Sequence, residues 1–415
     1  MSDTNSEFRP ESDDDWWAVG ELFSLAVDQL SAPVEGMHRA IADRWLGLAG
    51  ESADPVRRGY DTVTRTVYGA VRIGGRALGA VVPMMASLIG RKHTASERPG
   101  SHITSGLRAW ANGLWGDELE ARGSKLAVPM SFCDAGGMQV DPTPSSTAKA
   151  FPNPTGDVVV LLHGLGESER SWQSRTDVHP DLADVLAAES LVPVFVRYNT
   201  GRHVSDNGAQ LADLLDQLES SWPVPVHRIS FVCHSMGGLV ARSAIAAGRS
   251  ASHGWAARVA HLVTLGTPHL GSPLEKGANL LAWGLDVTPE TRPLGDFLRG
   301  RSVGIKDLRF GSTSEHEWAE VDPDTLLNAA IGDVAPPSGV SQHFIAGVVT
   351  KDESHPVGAL LGDLVVRVGS ATGKGRQRRV ESSDALVVGR QRHFDLPTDP
   401  EVHKQVAVWL LTDPV

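Results

Sequence analysis

RISFVCHSMGGLVAR, residues Arg228 to Arg242, decides how the rest of the chain is read. Ile229, Phe231 and Val232 form a short apolar, partly β-branched run suited to a buried strand, whereas Leu239, Val240 and Ala241 begin a helix-forming run after two glycines. Ser235 stands at the corner between them. A hydroxyl on so tight a turn is lifted out of the sheet plane, and the free amides of the following helix point back at any oxyanion formed beside it. The pattern is G-x-S-x-G with Cys233 in place of the first glycine and Gly237 as the last. Serine is also a favoured helix cap, but capping alone does not call for His234, Met236, Gly237 and Gly238 around it.

Around that corner, 415 residues with 41% hydrophobic content suffice for two domains or for one enlarged α/β domain with an appendage. A formal net charge of -12 argues against nucleic acid as partner, since phosphate binding needs a basic face. The two cysteines, Cys133 and Cys233, cannot make a disulfide framework. With an acidic, polar N-terminus in place of a secretory signal, a reducing, cytoplasmic location is expected.

Residues 1–15 carry six carboxylates against Arg9 and read as a disordered acidic tail. Residues 16–105 read as a helical region of three or four amphipathic helices, from recurrences such as Trp16, Val19, Phe23, Ala26, Leu30 and Val56, Tyr60, Val63, Val67, Val71. The apolar stretch Gly74 to Gly90 is expected to pack inside that layer, with a dip into a membrane surface as the alternative, and His93 to Ser105 reads as a hinge. Residues 106–415 read as the catalytic domain. A hairpin (Lys125 to Cys133, Met138 to Val140) and a loop (Asp141 to Thr155) open it. Strands follow at Asp157 to Leu162, Val192 to Arg197, the corner strand, Ala260 to Leu265, His343 to Val349 and Ala385 to Val388, with helices between and a closing helix at Pro400 to Leu411. That alternation predicts a mostly parallel sheet with helices on both faces. Residues 272–340 break the rhythm and read as a lid or cap insertion, in which Leu280 and Trp283 offer apolar cover for a substrate.

A serine nucleophile needs a general base, and the base needs a carboxylate that fixes its tautomer. Of 16 histidines, His393 in RQRHFDLP stands just beyond the final strand, while His403 falls inside the closing helix. Asp363 in LLGDLVVRV is the expected acid, with Asp352 as its rival. The oxyanion is assigned to the backbone amides of Met236 and Leu165, the second after the turn at His163 and Gly164; His163, Gly164 and His234 are further expected to line the substrate site.

The segments LLHGLG, YNTGRH, CHSMGGLVAR, TLGTPHLGS, GDLVVRVGSA and RHFDLP, in this order over roughly Ser124 to Leu411, resemble the bacterial lipases and esterases of the α/β-hydrolase superfamily, and in particular a group similar to the GPI inositol-deacylases. The resemblance implies the α/β-hydrolase fold, the triad Ser235, Asp363 and His393, and hydrolysis of carboxylic (lipid or acyl) esters. No cofactor or metal is expected. An acyltransferase or thioesterase on the same triad, or a non-catalytic binding protein on the same fold, are the alternatives. Arg367, Lys374, Arg376, Arg378, Arg379, Arg390 and Arg392, between acid and base, suggest a basic rim suited to an anionic headgroup or membrane surface.

Overall fold

The computed structural model describes residues 13–48, 54–89, 102–174, 179–272, 275, 281–282, 285, 288–315, 337–355, 358, 361–375 and 379–414. The chain divides into two units, one of residues 1–111 with 277–301 and one of residues 112–276 with 302–415.

The larger unit is built on an eight-stranded sheet. Its strands are β1 (Ser131–Cys133), β2 (Gln139–Val140), β3 (Asp157–Leu162), β4 (Val192–Arg197), β5 (Arg228–His234), β6 (Val259–Leu265), β7 (Ser341–Val348) and β8 (Asp384–Gly389), in the spatial order β2-β1-β4-β3-β5-β6-β7-β8. Strands β3 to β8 are parallel; β1 runs antiparallel to both β4 and β2. The run DVVVLL is apolar at consecutive positions because both faces are covered. Val158, Val160 and Leu162 point to one side, against Leu211 and Leu215 of α6 (Val204–Ser221) and Leu239 and Val240 of α7 (Met236–Ser250). Val159 and Leu161 point to the other, against Leu182 and Leu186 of α5 (Leu182–Ala188) and Val402, Val406 and Leu410 of α11 (Pro400–Leu410). Side-chain alternation in a strand divides one apolar run between two cores.

The loop expected over Asp141 to Thr155 contains a helix, α4 (Pro144–Ala150). Its start is locally encoded: the Thr143 hydroxyl accepts the Ser146 amide, and Pro144 takes the first helical position, where no amide donor is needed.

In the smaller unit, α1 (Asp13–Leu48) and α2 (Asp54–Ile89) run 36 residues each; α3 (His102–Ala121) starts inside the stretch read as a hinge, and the division between the units falls within it, after residue 111. Among the described residues these are three helices, and α1 runs long because Pro33 sits within it without ending it; α1 also begins at Asp13, inside the stretch read as a disordered tail. The helical period is as expected but the facing is reversed. Where α2 meets α1, Gly75 admits Val27, whose atoms would lie 2.7 Å from a Cβ at that position, and Arg72 pairs with Glu35 and Arg76 with Asp28 at 2.6 and 2.8 Å. Val56, Val63, Val67, Val71 and Leu78 face outward and are exposed, whereas Tyr60 donates its hydroxyl to the His38 carbonyl of α1 at 3.4 Å. In the same unit α8 (Arg292–Arg299) packs on α1, with Pro293 against Gly36 and Glu290 paired with Arg44 at 2.6 Å. Two further short helices belong to the larger unit, α9 (Val303–Asp307) and α10 (Val368–Ala371). Within the segment read as a lid, Leu280 and Trp283 lie outside the described residues.

Candidate active site

Each strand from β3 to β8 delivers its loop to the same edge of the sheet, and these loops converge around Ser235. Ser235 sits between β5 and α7 at φ 50° and ψ −120°, a conformation that L-residues rarely adopt. The close approach around it explains the glycines. A Cβ on Gly237 would lie 2.7 Å from the Leu162 carbonyl and 2.8 Å from that of His163, so α7 can start so near β3 only with glycine there. Cys233 is fully buried beneath the corner, and burial pushes its thiol well above the ordinary range, which makes it an apolar packing group.

His393 follows β8 and Asp363 follows β7. The Ser235 Oγ lies 2.8 Å from His393 Nε2, and His393 Nδ1 lies 2.7 Å from Asp363 Oδ2. The other carboxylate oxygen of Asp363 accepts the amides of Val365 and Val366 at 3.0 and 2.8 Å, which fixes its plane. All three side chains are buried, Ser235 being 5% exposed. Asp352 is exposed and caps its own turn through Ser354, and His403 donates to the Pro397 carbonyl inside the closing helix.

The turn after β3 is tightly tied. The Gly164 amide donates to Glu167 Oε2 at 2.7 Å, the Gly166 amide to Thr200 Oγ1 at 3.1 Å, and the Tyr198 hydroxyl to the His163 carbonyl at 2.7 Å. Between these committed groups stands Leu165. The Met236 amide opens α7, where helix geometry leaves the first donors without intrahelical partners. His163 and His234 do not line an open site as expected: both side chains are fully buried, His163 stacked on Tyr198 with ring centres 4.4 Å apart, so they act from beneath it. Burial holds the His163 imidazole below its ordinary range. A Cβ on Gly164 would meet Glu167, His234 and Ser235 at 2.9 to 3.0 Å, so this position likewise serves the shape of the turn. In the stretch between acid and base, Arg376 and Arg378 lie outside the described residues.

Three contributors escaped the sequence reading. Gly266, at φ 60°, leaves room for the pair behind it, since its Cβ would stand 3.1 Å from both Asp363 Oδ2 and His393 Cε1. Thr267 donates its hydroxyl to the Ser235 carbonyl at 2.8 Å. Both belong to the quoted segment TLGTPHLGS, whose glycine was visible but whose reason was not. Glu167, within GLGESER, gave no signal beyond an ordinary surface carboxylate.

A mostly parallel eight-stranded sheet covered on both faces, with a serine on a strained turn between its fifth strand and the next helix, is the α/β-hydrolase fold. Residues 155–309 match the family model described as "Putative serine esterase (DUF676)"; the match includes Ser235 and stops short of Asp363 and His393. The chain thus has the α/β-hydrolase fold, and the part of it that the family model matches resembles serine esterases. Similar solved structures include a Bacillus licheniformis lipase in its mature form (20% identity, TM-score 0.40, 62% of this chain and 93% of that one). A metagenomic carboxyl esterase (16%, 0.38, 79% and 98%) and a Pyrococcus furiosus esterase (14%, 0.35, 62% and 82%) are similar in the same way. The sequence matches no curated protein.

Proposed function

We propose that the protein hydrolyses carboxylic esters of acyl or lipid type through an acyl-enzyme on Ser235. The observation that carries this reading is the unbroken relay Ser235 Oγ, His393 Nε2, His393 Nδ1, Asp363 Oδ2, with contacts of 2.8 and 2.7 Å, assembled from three separate loops at one sheet edge. Ser235 Oγ attacks the ester carbonyl as His393 Nε2 takes its proton. Asp363 holds the Nδ1 proton in place and stabilises the imidazolium without accepting that proton. The carbonyl oxygen becomes an oxyanion facing the amides of Leu165 and Met236, each such donor being worth about 3 kcal/mol of barrier. Collapse expels the alcohol, which takes its proton from His393. Water, deprotonated by the same nitrogen, then attacks the acyl-enzyme and releases the acid with Ser235 restored. The proton taken from Ser235 leaves on the alcohol, a proton taken from water restores Ser235, and His393 ends each half-reaction neutral.

The test is active-site labelling. A fluorophosphonate probe should modify the parent protein at Ser235 and leave Ser235→Ala unmodified, and the parent should turn over p-nitrophenyl esters. A parent protein that neither labels nor turns over any chain length in a p-nitrophenyl ester series would end this reading.

A further inference from the structure

Beneath the serine corner lies a second buried histidine–carboxylate pair that the scheme above does not use. His234, the last residue of β5, is fully buried, with Nδ1 2.7 Å from Glu167 Oε2 and Nε2 3.0 Å from the backbone carbonyl of His393. The same Glu167 oxygen accepts the Gly164 amide at 2.7 Å. Both ring nitrogens of His234 therefore face acceptors. A neutral imidazole donates once, so it would turn a lone pair on one of these oxygens; the imidazolium donates to both. Placing the proton on Glu167 instead would leave that oxygen a poor acceptor for Gly164. The groups facing His234 are Glu167 from the turn after β3, Asp363 from the loop after β7, and His393 with the Phe394 ring edge from the loop after β8. The nearest charge is thus a carboxylate. Burial alone would push the Glu167 carboxyl up and the His234 imidazole down, yet their mutual attraction wins, holding Glu167 down to about 2 and raising His234.

We propose that Glu167 and a protonated His234 form a buried strut that positions both halves of the catalytic machinery, the oxyanion turn through the Gly164 amide and the general-base loop through the His393 carbonyl. The inference rests on the esterase reading of Ser235. Neither residue touches the reacting atoms; both are positioning residues. Leu165 adjoins the Gly164 amide that Glu167 holds, and the His393 imidazole hangs from the backbone that His234 holds. A break in the strut moves the transition-state contacts rather than the substrate-binding surface. The signature is therefore a loss in kcat with KM kept.

Glu167→Gln tests this directly, because one amide oxygen cannot both take the Gly164 amide and serve as a charged partner for His234. On p-nitrophenyl acetate, kcat should fall about 10- to 100-fold with KM changed by less than about threefold. Removing one partner of a buried ion pair also destabilises, so the double variant Glu167→Gln/His234→Gln, which leaves no uncompensated charge, is the second measurement. It should recover most of the lost Tm and little of the lost kcat. In the parent labelled with 15N-histidine, the ring resonances absent from His234→Gln should show both nitrogens protonated at neutral pH. Parental kcat in Glu167→Gln, joint recovery of Tm and kcat in the double variant, or a singly protonated His234 ring would each overturn the strut. Absence of fluorophosphonate labelling in the parent would instead overturn the esterase reading beneath it.

Discussion

At Ser235 the backbone stands at φ 50°, which costs of order 1–3 kcal/mol in a residue with a Cβ. Glycine adopts that conformation freely, at an entropic cost of about 0.5–1 kcal/mol in the unfolded chain. The first term exceeds the second, so Ser235→Gly should abolish hydrolysis and unfold at a temperature equal to or above that of the parent; a clear fall in Tm would mean that the turn is not strained. Asp363→Asn makes the complementary test. Because Asp363 Oδ1 already takes two backbone amides, the asparagine oxygen must stay there and its NH2 must face His393 Nδ1. That ring is then forced into the tautomer carrying its proton on Nε2, where it cannot deprotonate Ser235. A loss in kcat of about 10⁴-fold with little change in Tm is expected, read from ester turnover and thermal unfolding; a loss below tenfold would remove Asp363 from the relay. Ser235, Asp363 and His393 could be picked out in the sequence because the chemistry demands those residue types in that chain order. Glu167 could not, since the reason for a buried carboxylate lies in His234, 67 residues further on.

Element by element, what was legible followed burial. The inner strands of the sheet are covered on both faces and appear as nearly unbroken apolar runs, so β3 and β4 fall where the sequence placed them. Helix α4 was hidden because its composition, PSSTAKA, is that of a loop and its start is set by Thr143 and Pro144 alone. In α2 the period was visible but the packed face was not: ion pairs between long side chains, not the valines, face α1. The junction of β3 and α7 carries a prediction of its own. Gly237→Ala puts a methyl 2.7 Å from the Leu162 carbonyl, and backbone cannot yield as a side-chain tip can. The helix must move off the strand, carrying Ser235 with it. A destabilisation of about 1–3 kcal/mol and a severe loss of fluorophosphonate labelling should appear together; full labelling at parental rate would show that the close approach is dispensable.

For the molecule as a whole, buried histidines set the response to acid. Burial holds His163, His261 and His343 below their ordinary range, His343 at about 4. The unfolded chain therefore binds more protons than the folded one below about pH 6.5, and the stability these three groups contribute is lost as pH falls from there toward 4. His234 acts oppositely: its raised folded value adds stability that is fully present below about 6.5 and is lost as pH rises above 6.5 through the folded value. Glu167, held at about 2, contributes above about 4.5 and is lost only in stronger acid. His343, held at about 4, must gain its proton at the folded state's expense between about pH 6.5 and 4, so the urea midpoint should be lower at pH 5 than at pH 7, with His343→Gln reducing the difference; equal midpoints in parent and variant at both pH values would contradict this. The division of the chain bears on its synthesis as well. Residues 277–301 complete the unit that holds α1 and α2, so α1 waits for α8 while the 251 residues from 48 to 299 (299 minus 48) leave the ribosome. At roughly 5–20 residues per second that is a delay of about 13–50 s, during which the nascent α1 and α2 are exposed to chaperones and proteases before α8 arrives.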